Sequence, residues 1–236
     1  LSPTLPAAER LIVALDVPDA ATALEFAAQL GRDVRWLKVG LELFCAEGPA
    51  LVSKLAEAGD KIMLDLKLHD IPQTVASATQ RCATLGASLL TVHASGGAAM
   101  LQAAAKAAAP SGLGILAVTV LTSLDASDVA ADGNRLSPAD LVLARAQLAQ
   151  AAACAGVVSS PHEAAALRAA LGPQALIVTP GIRPAGADVG DQKRVATPAA
   201  AIASGVSMIV VGRPIRDAAS PAEMARQILR EMETAS

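Results

Sequence analysis

A lysine with a carboxylate on each side lies in the stretch Asp65-Leu66-Lys67-Leu68-His69-Asp70. An apolar run leads into it and predicts a buried strand over residues 62–68, so the charges come at the end of a strand. Because side chains alternate along a strand, Asp65 and Lys67 point to the same side, roughly 6.6 Å apart along the backbone. Neighbouring carboxylates favour the charged form of lysine, so we expect an ammonium here and not the free amine that forms a Schiff base.

Lys67 is difficult to interpret as a surface residue. A lysine buried at the end of a strand is costly unless it is paired, and Asp65 is placed to pair with it. A purely structural ion pair is the alternative. Pro72 suits the first turn of a helix, so Asp70 has either a functional role or that of a helix N-cap. In α/β folds this carboxyl edge of the sheet is where ligands bind.

The same strand-then-helix unit recurs along the chain. Apolar strand candidates occupy residues 10–16, 36–40, 62–68, 89–94, 114–121, 156–159, 176–181 and 208–212. Ser137, Ser160 and Ser220 are each followed by proline and, three positions on, by an acidic residue, which predicts capping boxes at helix starts. Eight such units in 236 residues predict an α/β protein, a (β/α)₈ TIM barrel that forms one domain over residues 1–236.

Barrel enzymes place functional side chains at the carboxyl ends of several strands, and this chain has polar residues there. Arg183 follows the seventh strand, and Gly212 and Arg213 follow the eighth, where barrels frequently bind phosphate. The polar segment 185–194 has the composition of a loop that closes over a ligand. The other candidates are Asp16 after the first strand, Lys38 near the end of the second, and Thr122 with Ser123 after the fifth.

Composition excludes several classes of protein. A net charge of −3 and only three aromatic residues leave neither a basic face nor stacking platforms for nucleic acid. No apolar run approaches the ~20 residues of a membrane span, and no signal peptide is recognisable, so we expect a cytoplasmic protein. Cys45, Cys82 and Cys154 are expected to be free, buried thiols. No metal-ligand spacing and no cofactor motif is present, so we expect a small-molecule substrate and neither metal nor cofactor.

The motifs closely resemble those of the orotidine 5′-phosphate decarboxylase family, which catalyses the last step of de novo UMP synthesis. The resemblance covers nearly the whole chain and follows the bacterial form of the enzyme. Gln73 stands where many relatives have asparagine, which bears on a helix start and on none of the roles below. The matching segments are residues 15–16, Lys38 and residues 65–72, 92–97, 118–123, 179–184, 190–192 and 211–213.

The resemblance implies a carboxy-lyase that converts orotidine 5′-phosphate to UMP and CO₂ without a cofactor. Lys67 would donate a proton to C6 of the pyrimidine, within a charge array that includes Asp65 and Lys38. The family also implies a homodimer with its active sites at the interface, each completed by Asp70, Ile71 and Thr74 of the partner. The implied substrate contacts are Asp16 and Lys38 at the ribose hydroxyl groups, Thr122 or Ser123 with Pro180 at the pyrimidine, and Arg183, Gln192, Gly212 and Arg213 at the phosphate. Asp65 is counted among the substrate-binding residues as well.

Two other functions stay open from the residues themselves. Sugar-phosphate decarboxylases and epimerases on a similar barrel carry a similar Asp-x-Lys-x-x-Asp motif but depend on Mg²⁺, so a chelator distinguishes them. A non-catalytic barrel that binds phosphorylated nucleotides is the second alternative. Such a protein would tolerate replacement of Lys67.

Overall fold

Eight parallel strands close into a barrel in the computed structural model, which describes residues 5–184 and 196–235. Each strand pairs with the next along the chain, and the eighth pairs with the first. The single-domain TIM barrel predicted from the sequence is confirmed. The strands are β1 Leu11–Ala14, β2 Trp36–Gly40, β3 Lys61–Leu68, β4 Ala87–His93, β5 Gly114–Val118, β6 Gly156–Val158, β7 Leu176–Thr179 and β8 Met208–Val211.

Helices follow the strands and surround the barrel. Short 3₁₀ turns lie at Ala7–Glu9, Gly31–Asp33, Ala94–Gly96, Ala109–Ser111 and Pro161–Glu163. The α-helices are α1 Ala20–Leu30, α2 Leu41–Glu47, α3 Pro49–Glu57, α4 Pro72–Thr84, α5 Gly97–Ala108, α6 Ala126–Ala131, α7 Pro138–Ala151, α8 Ala164–Leu171, α9 Pro198–Ala203, α10 Arg213–Arg216 and α11 Pro221–Glu233.

Several strands end earlier than the apolar runs predict. β5 was expected to extend to residue 121, but it ends at Val118, whose partner is Val158, the last residue of β6. A strand needs a paired neighbour, so the short β6 limits the length of β5. The apolar residues that follow a strand then form the rim of the barrel.

Alternate side chains of each strand pack into two separate apolar layers. One set faces the helices, as Leu11 and Val13 do, and the other fills the inside of the barrel. Both faces are buried, which explains why the strands read as continuous apolar runs. The inner layer consists of Ile12, Ala14, Trp36, Met63, Leu89, Leu116, Leu176, Val178, Met208 and Val210.

Helix starts agree with the sequence in some places and differ in others. Ser160 and Glu163 form the reciprocal box, and Ser137 accepts a hydrogen bond from the Asp140 N–H. The box predicted at Ser220 is wrong: its ψ of 97°, against 156° at Ser137, leaves its side chain without a bond to the helix. Asp70 does not cap α4 either, because Ile71 occupies the N-cap position.

The cysteines are free, as expected, but they are not all buried. Cys45 is exposed on α2, so the prediction of a buried thiol is wrong there, since it lies on the face of the helix that points away from the core. Burial raises the pKa of Cys82 and that of Cys154 to about 11, which keeps both thiols protonated at neutral pH.

Among the described helices, none is both long and apolar enough to cross a membrane.

Arg168 of α8 ties together the amino-terminal end of the barrel. Its guanidinium donates to the carbonyl oxygens of Gly172, Gly205 and Ala175 at 2.7–3.1 Å and to Ser207 Oγ at 2.8 Å. These acceptors follow α8 and α9 and precede β7 and β8. One side chain therefore joins two helix ends to the two strands that come next.

We predict that Arg168→Ala lowers the free energy of unfolding by about 2–4 kcal/mol, because several partly buried carbonyls lose their donor. Urea unfolding of the variant and the parent measures the difference. Arg226→Ala is the matched control, since its 3.3 Å pair with Asp33 is on the surface and is worth about 0–1 kcal/mol. Equal losses in the two variants would contradict this account.

Candidate active site

Four charged side chains of alternating sign form a row at the carboxyl end of the barrel. Lys38 Nζ lies 2.8 Å from Asp16 Oδ1 and 3.9 Å from Asp65 Oδ2. Lys67 Nζ lies 2.8 Å from Asp65 Oδ2 and 2.9 Å from Oδ1. The order Asp16–Lys38–Asp65–Lys67 places each ammonium next to at least one carboxylate. We call this row the charge array.

Three neighbouring strands supply the charge array. Asp16 follows β1, Lys38 belongs to β2, and Asp65 and Lys67 belong to β3. Lys38 and Asp65 have the same inward parity as Trp36 and Met63, which lie in the inner layer. Leu66 and Leu68 pack against the outer layer, as the alternation predicted.

The backbone of Lys67 departs from a regular strand. Its φ is +49°, in the left-handed region, and the pairing of β3 with β4 shifts register between Leu64 and Leu68. This conformation is uncommon for a residue other than glycine and costs roughly 1–3 kcal/mol. The side chains of Asp65 and Lys67 meet as predicted, but a bulge and not simple alternation brings them together.

Burial and pairing act on Asp65 in opposite directions. The side chain is only 14% exposed, and burial raises the pKa of the carboxyl. The charges of Lys38 and Lys67, with hydrogen bonds from Lys67 and Thr91, outweigh burial and hold the pKa of Asp65 below its ordinary value. Asp65 is therefore a carboxylate at neutral pH and holds the adjacent ammonium in place.

Two glycines leave room for the charge array. A Cβ on Gly40 would lie 2.9 Å from Lys38 Nζ and 3.5 Å from Asp16 Oδ1. A Cβ on Gly212 would lie 3.4 Å from Asp16 Oδ2. A methyl group at Gly40 would therefore press on the Lys38 ammonium, which would have to move.

A cavity of about 180 Å³ opens beside the charge array. Its walls are mostly apolar, which lowers the local dielectric and strengthens the electrostatic effect of the ammonium groups. Thr122 and Pro180 line it, whereas Ser123 is exposed and does not. The lining residues are Lys38, Met63, Asp65, Lys67, Val118, Val120, Leu121, Thr122, Val158, Ser159, Pro180 and Val210.

The predicted phosphate-binding residues lie on the loops after adjacent strands. Arg183 follows β7, where its backbone N–H donates to Ala196 O at 3.0 Å and its Nη1 donates to Ile182 O at 3.0 Å. Gly212 and Arg213 follow β8 and begin α10, with Arg213 exposed. Gln192 lies outside the described residues.

Asp70, Ile71 and Thr74 do not reach the charge array of their own chain. All three are exposed, with Ile71 at 67%. Asp70 accepts a 2.6 Å hydrogen bond from the Ile71 N–H and makes no ion pair with any described residue. Within one chain, the carboxylate next to Lys67 is therefore Asp65.

Sequence reasoning missed three supporting residues. Thr91 of β4 bonds to Asp65, Ser159 lines the cavity and donates to Glu163 Oε2 at 2.7 Å, and Arg216 of α10 donates to Asp16 O at 2.9 Å. Strand parity with Leu89 could have found Thr91, because both point into the barrel. No sequence signal links Arg216 to Asp16.

The arrangement suits an anionic ligand on which further negative charge develops. Two ammonium groups border a cavity with apolar walls, and one of them, Lys67, is still 30% exposed. Among the described residues, no group of three or more histidine, cysteine, aspartate or glutamate side chains is arranged to hold a metal ion.

Comparisons with known proteins agree with this geometry. The model of the orotidine 5′-phosphate decarboxylase / HUMPS family matches residues 9–228. The chain is 56% identical over 220 residues to orotidine 5′-phosphate decarboxylase of Anaeromyxobacter sp. (strain K), which covers 93% of this chain and 96% of that protein. It is 52% identical over 228 residues to the enzyme of Rhodopseudomonas palustris (strain BisB5), with 97% and 96% covered.

The fold has the same relatives. The crystal structure of orotidine 5′-phosphate decarboxylase from Lactobacillus acidophilus matches with a TM-score of 0.85 and 39% identity, over 94% of this chain and 98% of that one. A family match over most of the chain, identities above one half and the same closed barrel all agree with the motifs around Lys67. This chain belongs to the orotidine 5′-phosphate decarboxylase / HUMPS family.

Proposed function

We propose that this protein decarboxylates orotidine 5′-phosphate to UMP and CO₂, the last step of de novo pyrimidine biosynthesis. The observation that carries the proposal is the Lys67 ammonium, held 2.8 Å from Asp65 at the edge of a largely apolar cavity, in a chain more than half identical to decarboxylases of this name. We assign the activity to one domain that spans residues 1–236.

The difficulty of the reaction is electrostatic. Loss of CO₂ breaks the bond between C6 and the carboxylate carbon and leaves the electron pair on C6, in the plane of the ring, where the π-system cannot accept it. A fixed cation beside C6 stabilises this pair without reorganisation. In our proposal Lys67 Nζ supplies that charge and then transfers a proton to C6.

Asp65 holds the proposed proton donor in place, because its carboxylate lies 2.8 Å from Lys67 Nζ. The ammonium is the form of lysine that can donate a proton. The lowered pKa of Asp65 keeps the carboxylate ionised at neutral pH. Lys38, between Asp16 and Asp65, is assigned to the ribose hydroxyl groups together with Asp16.

The remaining parts of the substrate are assigned to the rim. Thr122, which lines the cavity, is the better candidate than Ser123 for the pyrimidine contact, with Pro180 beside it. Arg183, Gly212 and Arg213 are assigned to the phosphate, with Gln192 on the segment that closes over it. Binding energy from the phosphate, which does not react, can drive that closure.

We further propose a homodimer whose partner completes each site with Asp70, Ile71 and Thr74. The support is their exposure: Ile71, a large apolar residue, is 67% exposed at the rim, and Leu41 is 52% exposed. Exposed apolar side chains next to a charged site are typical of an interface.

Three free thiols fit a reducing compartment, and we place the enzyme in the cytoplasm.

Purified protein is expected to convert orotidine 5′-phosphate to UMP, followed by the loss of substrate absorbance, with no added cofactor and at an unchanged rate in EDTA. A strict Mg²⁺ requirement would favour a sugar-phosphate decarboxylase or epimerase.

Lys67→Ala should reduce kcat at least about 1,000-fold while UMP still binds, because only the chemical step loses its cation. Binding of UMP without turnover by the parent protein would instead indicate a non-catalytic barrel.

Mixing two inactive variants, Lys67→Ala and Asp70→Ala, is expected to restore activity if the sites are shared. Half of randomly assorted dimers are mixed and each has one native site, so recovery should approach about one quarter of the parental activity. The rate of decarboxylation after subunit exchange measures it.

The matched control for mixing is Lys67→Ala with Asp65→Ala. Both residues belong to the same half of the site, so no mixed dimer contains a native site and no activity should return. Recovery in this control, or its absence in the first mixture despite proven exchange, would overturn the shared site.

Arg213→Ala is expected to lower kcat/KM for orotidine 5′-phosphate by about 10- to 100-fold, because a charge-assisted hydrogen bond to phosphate is lost. Turnover of orotidine, which has no phosphate, should change little. Arg226→Ala on α11 is the control and should leave both rates unchanged. An equal loss with orotidine would remove Arg213 from the phosphate site.

A further inference from the structure

Thr91 is a fully buried polar residue at the centre of the proposed site. It lies on β4, next to β3, and none of its surface is exposed. Its neighbours Leu90 and Val92 face the helices, whereas Thr91 shares the parity of Leu89 and points into the barrel. Thr91 thus reaches the charge array from inside the barrel, on a strand that contributes no charged side chain to the array.

One hydroxyl group of Thr91 makes two hydrogen bonds in opposite directions. Its Oγ1 accepts from the backbone N–H of Lys67 at 2.9 Å and donates to Asp65 Oδ1 at 2.9 Å. An amide can only donate and a carboxylate can only accept, so the orientation of the hydroxyl proton is determined. A single atom therefore contacts both members of the Lys67–Asp65 pair.

The bond to Lys67 is made where the backbone is strained. Lys67 is left-handed at φ +49°, inside the register shift between β3 and β4. The other described residue besides glycine with positive φ is Ala153, at φ +61° just after α7, where helices commonly end in this way. Lys67 lies in a strand and not at a helix end, so that explanation does not apply to it. Its backbone N–H donates to the Thr91 hydroxyl.

The bond to Asp65 determines how the carboxylate is turned. Oδ1 accepts from Thr91 Oγ1 and from Lys67 Nζ, each at 2.9 Å, whereas Oδ2 lies 2.8 Å from Lys67 Nζ and 3.9 Å from Lys38 Nζ. The groups that face Asp65 are thus Lys38 from β2, Lys67 from β3 and Thr91 from β4. Rotation of the carboxylate would move Oδ2 away from Lys38.

Simple packing does not explain these contacts. Thr79 on α4 is also fully buried, yet its Oγ1 has no hydrogen-bond partner among the described residues, so burial of a threonine does not by itself produce such contacts here. At Thr91 the hydroxyl binds the two groups on which the proposed proton transfer depends. The comparison separates a hydroxyl with defined partners from one that is only part of the core.

We propose that Thr91 is a positioning residue whose hydroxyl fixes both the left-handed backbone of Lys67 and the orientation of Asp65, and so aims the ammonium at the reacting carbon. This inference rests on the proposed decarboxylase function and extends it. Thr91 is not among the residues that line the cavity, so it acts through Lys67 and Asp65.

The test compares Thr91→Val, which keeps the shape but removes the hydroxyl, with Thr91→Ser, which keeps the hydroxyl. Thr91→Val should lower kcat by about 10- to 100-fold, because two hydrogen bonds to the catalytic pair are lost. UMP affinity should change by less than about threefold, since Thr91 does not line the cavity. Thr91→Ser should retain kcat within about threefold of the parent.

Thr79→Val is the matched control, with the same chemical change at a buried hydroxyl that bonds to none of the described residues, and it should keep the parental kcat. Thermal unfolding is measured for every variant, and Thr91→Ala replaces Thr91→Val if the latter does not fold. An unchanged kcat in the variant without the hydroxyl, or an equal loss in Thr91→Ser, overturns the role of the hydroxyl. If the parent protein is inactive, the proposed function itself is refuted. The comparison among the Thr91 variants tests only the role of the hydroxyl.

Discussion

The site depends on keeping ammonium and carboxylate groups together at the rim of an apolar barrel. Burial alone would raise the pKa of Asp65 and neutralise it, and only the charges of Lys38 and Lys67, with two hydrogen-bonding side chains, reverse this. Removing one partner of such a pair leaves an uncompensated charge and costs about 3–5 kcal/mol where burial is complete. Each charged side chain of the array is therefore compensated by an oppositely charged neighbour. Parallel strands satisfy this condition, because β1, β2 and β3 end side by side and bring their residues to one edge.

Part of this arrangement could be predicted from the sequence, from the two-residue period of a strand. That period correctly placed Leu66 and Leu68 against the outer layer, and it predicted that Asp65 and Lys67 would meet, but their contact is made through a bulge at Lys67. It could not predict the left-handed Lys67, which depends on Thr91, 24 residues away. Local rules fail where a conformation is decided by a partner distant in the chain.

Other differences arise from local backbone geometry and from the orientation of a helix. A serine before proline predicts a helix start, and Ser137, Ser160 and Ser220 all precede helical turns, but a cap also needs a suitable ψ, which Ser220 lacks. The exposure of Cys45 depends on which face of α2 meets the core. The partner residues around Ile71 and the role of Gln192 stay predictions, because one belongs to a second chain and the other lies outside the described residues.

The two ends of the barrel are built on different chemistry. At the amino-terminal end, Arg168 and Arg10 donate mainly to backbone carbonyls, and Lys61 pairs with Glu9 at 2.8 Å. At the opposite end the charges are paired with each other beside an open cavity. Stability and chemistry are thus served by separate sets of side chains.

The backbone of Lys67 has an evolutionary consequence. Glycine or asparagine would adopt a φ of +49° at lower conformational cost than lysine does. Selection for stability alone would therefore favour glycine or asparagine at this position. In the proposed mechanism the ammonium is needed for turnover, so this one position sets the stability of the fold against its activity.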